Sequence, residues 1–420
     1  MDFKKHLTLL KDLLRPHGQF WTEEILNFYP RTLNNYPDTW IKSLDQLSQE
    51  QLWDFDNKTD YSFLPANGLP ELCQSLHKLT STLENKTVTD TQTSLPPKAF
   101  VKVKKKKKHE IIQVDSIVEK LFSEAKEFTH AIDVGGGIGH LSRILSSYRN
   151  IPLTSIDRDY ELQKRGQLRR TSSQEKEKKN DISFFCHEMN EESYKNEQIK
   201  KTFHSHAFCL GLHTCGPLAN DLIKTTALCK AAGLFNFGCC YLKLNPQKDL
   251  HLSSFDKTTN PLPLTLHALT LATRSHQQIS FEDFLLKERV KNYRYALHLF
   301  IYDELKRKKF IGVGEYPVKK YWEPFPLYAL EKLEELGLKD PHLSEKKLND
   351  FHQDKDVQRK IRKMFLANII RWQFGKAIEH YILTDRCLYL EEKGFKVEMA
   401  EFFDPALSPR NVGILARNVF

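Results

Sequence analysis

The chain has 420 residues, of which 40% are hydrophobic and 28% charged, with a formal net charge of +9. This composition excludes a fibrous or disordered polymer and suits one elaborated globular domain or two. No stretch approaches the run of about 18 apolar residues that a membrane helix needs. The eight cysteines form no CxxC pair, which argues against a disulfide scaffold and for reduced thiols inside a cell, in cytoplasm or nucleus.

Phe3, Leu7, Leu10 and Leu14 recur at helical spacing among lysines, so the first fourteen residues read as an amphipathic helix. A secretory signal would need a continuous apolar core there. Residues 1–95 are expected to be helical and rich in aromatics. The polar, threonine-rich stretch 85–98 ends in two prolines and suits a linker. A lysine run at 104–108 precedes His109 and Glu110, then a helical pattern runs through Val114, Ile117, Val118, Leu121 and Phe122. The lysines are a solvated basic segment by default. A nuclear-import-like patch and a landing strip for phosphates are the alternatives.

From residue 130 strand-like and helix-like runs alternate, which predicts βαβ units on a parallel sheet. Strands are expected at 130–135, 152–157, 181–189, 206–213 and 233–244, with helices at 140–148 and near 218–231. The charged run 169–180 reads as an exposed helix end and loop. Residues 256–374 turn mainly helical. A helix at 378–394 closes on Gly394, and two strands joined by DPALSPR follow. The prediction is an α/β, Rossmann-like domain over 96–255 and 375–420, mostly parallel with a terminal antiparallel hairpin. It carries a helical N-terminal region, 1–95, and a helical insertion, 256–374.

IDVGGGIGH places Gly135, Gly137 and Gly139 between a strand and a helix, where the chain must turn sharply against a ligand. The spacing is GxGxG, and His140 breaks the GxGxxG fingerprint of nicotinamide and flavin binders. Asp133 at the strand end puts a carboxylate where a pyrophosphate would be repelled and a methionine amino group attracted. Asp157 ends the next strand, where it can accept bonds from both ribose hydroxyls. The cofactor these features imply is S-adenosylmethionine, the alternative being a structural relic of such a site.

Ligands on open α/β sheets sit beyond the carboxyl ends of the strands. His187 and Glu188 end the third strand on the adenine side. His213 ends the fourth, and Tyr241 and Lys243 follow the fifth, which makes these three the candidates for the acceptor side and the chemistry. His213, Cys215, Cys239 and Cys240 could hold a metal by count. Without CxxC or HxxxH spacing no metal is expected, and the cysteines read as buried small hydrophobes. None of the strand ends shows the NPPY or DPPY pattern of enzymes acting on exocyclic amines of adenine.

KKKHE (106–110), IDVGGGIGHLSR (132–143), GLHTCGPL (211–218), GCCYLKL (238–244), DRCLYLEEKGF and FFDPALSPRN (402–411) together resemble the methyltransferase-like protein 25 family. The resemblance implies a class I methyltransferase sheet and methyl transfer from S-adenosylmethionine. It also implies that Arg410 and Asn411 brace the sheet edge or the site. A more distant likeness, of His213-Thr-Cys-Gly and Cys239-Cys240 to transfer RNA ribose methyltransferases, puts RNA first among acceptor classes. A protein acceptor, or a methyltransferase fold kept as an inactive scaffold, is the alternative.

Overall fold

A computed structural model describes residues 1–87, 95–101, 103–172, 182–274, 278–338 and 342–419. The expected linker and charged loop fall partly outside these residues, at 88–94 and 173–180. Contacts divide the chain into two compact units, one of Met1–Asp12, Thr80–Gln277 and Lys376–Phe420, the other of Leu13–Leu79 and Gln278–Gly375. Of the expected helical segments 1–95 and 256–374, residues 1–12, 80–95 and 256–277 therefore fall in the first unit.

The first unit is built on seven strands: β1 (His130–Val134), β2 (Leu153–Asp157), β3 (Ile182–Cys186), β4 (Ala207–Leu212), β5 (Gly233–Phe237), β6 (Phe395–Glu401) and β7 (Val412–Asn418). They lie in the order β3-β2-β1-β4-β5-β7-β6. The first five are parallel, and β7 runs antiparallel to both β5 and β6. This is the Rossmann-like class I methyltransferase sheet, terminal hairpin included.

Successive residues on a strand face opposite sides. Ala131, Leu153, Phe208, Leu210 and Phe235 join one hydrophobic core with helix α1 (Lys105–Glu124) and helix α2 (His140–Arg149). Their neighbours Ile132, Cys209 and Leu234 are buried as well, so both faces are covered, as parallel sheets require. Helix α3 (Tyr160–Ser172) connects β2 to β3, helix α4 (Pro217–Leu228) connects β4 to β5, and helix α5 (Gly375–Glu392) leads into β6.

Two strands end well before their expected limits: β3 stops at Cys186, so His187 and Glu188 follow the strand, and β5 falls further short of its limit. β5 ends at Phe237, and Tyr241–Lys243 is a 3-10 turn. The run GCCYLKL has enough apolar and aromatic character to look like a continuation. Its backbone hydrogen bonds go into the turn, with Leu244 N donating to Tyr241 O at 2.9 Å. The second unit is helical, with Phe281–Leu299 packed along Lys355–Trp372 through Phe284 and Phe365, whose rings lie 5.9 Å apart.

Candidate functional site

At the carboxyl ends of β1, β2, β3 and β4 lies a cleft of about 440 Å³, within the range of about 300–1,000 Å³ usual for small-molecule sites. Gly135, Asp157, His187, Glu188, His213 and Lys243 line it together with Arg158, Met189, Cys215 and Asp221. Six of the residues singled out from the sequence thus share one cavity.

Of the glycine turn, Gly135 lines the cleft, while Gly137 and Gly139 do not. Gly135, Gly137 and Gly139 have φ of +75°, +57° and +70°, a region that side chains with a Cβ rarely enter. A Cβ on Gly135 would meet Leu218, another lining residue, at 3.6 Å, so the bare backbone leaves cleft space open. Gly136, which the GxGxG spacing leaves unassigned, is the most tightly packed of the four. A Cβ there would stand 2.5 Å from Ser155 Oγ and 2.9 Å from Asp133 Oδ2. Gly136→Ala should therefore lower stability by about 1–3 kcal/mol, as overpacking in a tight site does. A thermal melt unchanged from wild type would contradict this packing.

The two acids part company. Asp157 faces the cleft, with Oδ2 accepting from Gly137 N and Oδ1 from Asp159 N, each at 2.9 Å. A carboxylate has about four acceptor positions, so two remain for a pair of ribose hydroxyls. Asp133 is corrected by the structure: it is 3% exposed and does not line the cleft. Its Oδ2 accepts from Ser142 Oγ at 2.6 Å, which ties the strand end to α2 beneath the glycines. Burial raises its carboxyl above the ordinary range, against the Ser142 bond and the field of Lys107. Asp133 is a brace for the turn.

His187 stacks on Phe185, with ring centroids 5.4 Å apart and planes at 19°. Burial holds its imidazole below the ordinary value, which leaves a flat neutral wall. Glu188 pairs with Arg158 at 3.4 Å across an exposed rim, an ion pair of little energetic weight.

On the opposite side His213 adopts φ +64°, uncommon for a residue with a Cβ and costing about 1–3 kcal/mol unless its surroundings impose it. Its Nε2 lies 2.9 Å from Glu110 Oε1. The same oxygen accepts from Ser408 Oγ at 2.9 Å, and Lys106 Nζ is 3.7 Å away. Burial alone would raise Glu110, but the bonds from His213 and Ser408 and the charge of Lys107 outweigh it and hold the carboxyl below its usual range. His213 and Glu110 form a dyad at the cleft edge. Beside Glu110, His109 Nε2 accepts from Asp404 N at 3.1 Å, which fixes the loop after β6.

Tyr241 is corrected too. It is 1% exposed, does not line the cleft, and donates its hydroxyl to Glu379 of α5 at 2.9 Å. It is a core residue with a satisfied polar tip. Arg410 bonds Thr273 O through Nε and Nη2, at 3.4 and 3.2 Å, and Asn411 O accepts from Phe402 N at 2.8 Å. Both brace the hairpin.

Asp221, on the first turns of α4, is a lining residue that no motif pointed to. Its carboxyl is pushed up to about 6, chiefly by burial. Cys215, also of the lining, lies 3.4 Å, sulfur to sulfur, from Cys239, and Cys239 lies 3.8 Å from Cys240. Among the described residues these three form the one group of candidate metal-binding side chains.

Residues 106–247 match a family model described as a methyltransferase domain. A probable methyltransferase-like protein 25 of Homo sapiens is 24% identical over 223 residues, 49% of this chain and 36% of that protein. The chain thus spans about a third of the length of that relative. Both matches carry a methyltransferase description, and the relative bears the name of the family that the motifs resemble. A crystal structure of coclaurine N-methyltransferase bound to N-methylheliamine and SAH covers 99% of this chain and 94% of that one at 9% identity. Its TM-score of 0.24 lends that likeness no weight. Residues 106–247 are thus similar to a methyltransferase domain, and the sheet has the strand order expected for such a core. No described helix is long and apolar enough to cross a membrane.

Proposed function

We propose that this methyltransferase core serves to methylate a nucleophilic oxygen or nitrogen on RNA, with His213 as the base and Glu110 as its orienting partner. The observation that carries the reading is the His213–Glu110 pair at the edge of a cleft whose other wall holds Asp157. Gly135 and Gly137 cradle the methionine part of S-adenosylmethionine in this reading, with Gly139 closing the turn that shapes the cradle. Asp157 takes the ribose, and His187 with Glu188 takes the adenine. Bound there, the cofactor supplies a methyl group on a positively charged sulfur.

The protein's share of the chemistry is alignment and one proton transfer. With Nε2–H donated to Glu110, the lone pair of His213 resides on Nδ1, free to accept a proton from the acceptor as its nucleophile forms the new bond. The buried carboxylate then stabilises the imidazolium. Lys243, on the turn after β5, contributes a positive charge near the acceptor.

RNA is favoured by the lysines at the start of α1. Lys104, Lys105, Lys106 and Lys108 are exposed, and Lys106 lies one helical turn before Glu110. Cations at a helix N-terminus oppose the macrodipole by about 0.3–1 kcal/mol each, so this run is poorly placed for stability and well placed for phosphates. The free cysteines of the described residues suit a reducing compartment, cytoplasm or nucleus.

Incubation with labelled cofactor and cell extract should leave label that ribonuclease removes and protease does not. The reverse pattern would move the acceptor to protein and reject the RNA reading. Replacing Lys104, Lys105 and Lys106 by Gln should weaken RNA binding and flatten its salt dependence. The logarithmic slope should shrink by about 0.7–0.9 for each phosphate no longer neutralised. An unchanged salt slope would remove these lysines from the interface.

A further inference from the structure

We propose that Cys215, Cys239 and Cys240 form a zinc site on the acceptor side of the cleft, with three thiolate ligands and one position left open. Methyl transfer as proposed above does not use this metal, and the site stands apart from that reading. One donor atom from each of the three side chains lies within 4.8 Å of the others. The sulfurs of Cys215 and Cys239 are separated by 3.4 Å and those of Cys239 and Cys240 by 3.8 Å. Tetrahedral zinc with Zn–S bonds of about 2.3 Å spaces its sulfurs about 3.8 Å apart. Two of the separations therefore lie within half an ångström of that value, and the third, under 4.8 Å, within about 1 Å of it. A four-iron cluster fits less well, since each thiolate would then ligate a different iron and the sulfurs would have to spread.

The backbone has been shaped to bring these sulfurs together. β4 ends at Leu212 and β5 at Phe237, neighbouring parallel strands whose last residues are paired. Two unusual conformations follow β4, His213 at φ +64° and Gly216 at φ +60°. Between them Cys215 is turned toward the segment after β5. A Cβ on Gly216 would stand 2.7 Å from Lys243 Cβ and 3.3 Å from the Lys243 carbonyl, so only glycine lets the two loops approach. Thiols that serve merely as packing need no such arrangement and would be expected to face carbon.

The charges around the group are those that thiolates need. Lys243 and Arg410 both exert a positive field on the cluster, Lys243 on Cys215 and Arg410 on Cys239 and Cys240. The thiols release their protons when an ion binds. Cys239 is buried, while Cys215 lines the cleft. Three protein ligands with an open fourth position is the arrangement of zinc that meets water or a substrate atom. No CxxC spacing advertises it, because Cys215 is 24 residues from Cys239 and the other two are adjacent.

The full chain should be purified under reducing conditions without chelator, dialysed, and its metal content measured by plasma mass spectrometry. One zinc per chain is expected. Cys215→Ser and Cys240→Ser should each bind zinc at least tenfold more weakly in competition with a chromophoric chelator. Circular dichroism separates a lost ligand from a lost fold, and Cys240→Ser, at a partly exposed position, guards against failure of the other variant. Cobalt(II) added to the stripped wild-type protein should give a thiolate charge-transfer band that the Cys215→Ser protein lacks. A folded wild-type protein that takes up neither zinc nor cobalt would overturn the proposal. So would copper in place of zinc, or a Cys215–Cys239 disulfide in the metal-free protein under reducing conditions.

Discussion

Glu110→Gln should lower kcat by about 10²–10⁴-fold, the range over which a positioned acid or base contributes, while cofactor affinity stays within twofold of wild type. Glutamine keeps the shape of the buried side chain and can still accept from Ser408, so the fold should persist. It cannot offset the charge that His213 acquires on taking a proton. Calorimetric titration of the cofactor beside single-turnover rates would separate the two effects, and a variant with wild-type kcat would remove the dyad from the chemistry. The same substitution changes acid stability in a direction that can be worked out. The Glu110 carboxyl is held below its ordinary value of 4.5 in the folded state. Its contribution to stability is therefore full above the unfolded value and is lost as pH falls through the folded one. Glutamine has no such dependence. Melting temperatures of the wild type should fall toward those of the variant as pH drops below about 4.5.

Asp157→Ala should raise the dissociation constant for S-adenosylmethionine by about 100-fold or more. Two hydrogen bonds from ribose hydroxyls to a charged acceptor contribute about 1.5–3 kcal/mol each, and every 1.4 kcal/mol is about tenfold. Asp157→Asn, which retains one acceptor oxygen, should fall between. Asp133→Ala is the informative contrast. With its carboxylate bonded to Ser142 and packed under Gly136, its loss should appear first in the melting temperature. A Kd unaffected by Asp157→Ala would dismiss the ribose assignment, whatever Asp133 does.

That contrast shows where the sequence was legible. The parallel strands, their order of appearance and the terminal hairpin follow from alternation of period and turn residues. The rule that ligands gather beyond strand carboxyl ends was sufficient to find Asp157, His187, Glu188, His213 and Lys243 in one cleft. Local pattern fails where orientation decides. Asp133 and Asp157 both terminate strands, yet Ser142, nine residues on, turns one carboxylate under the loop. Tyr241 was misplaced because aromatic and apolar residues continue past β5 after its pairing has stopped at Phe237. Partnerships across 103 residues, as between Glu110 and His213, leave no spacing to read. The cysteine trio is concealed for the same reason, and its signal lies in two left-handed residues that no residue count reveals.

The position of β7 has an effect on how the molecule is completed. It occupies an interior place between β5 and β6, and β6 is the edge strand on that side among the described residues. Ser408, which bonds Glu110, sits in the loop joining these two strands. The glycine turn and Asp157 are thus synthesised long before the hairpin that supplies Ser408 to Glu110. In the proposed reading, a chain cut before Ser408 would lack one of the two hydrogen bonds that hold Glu110.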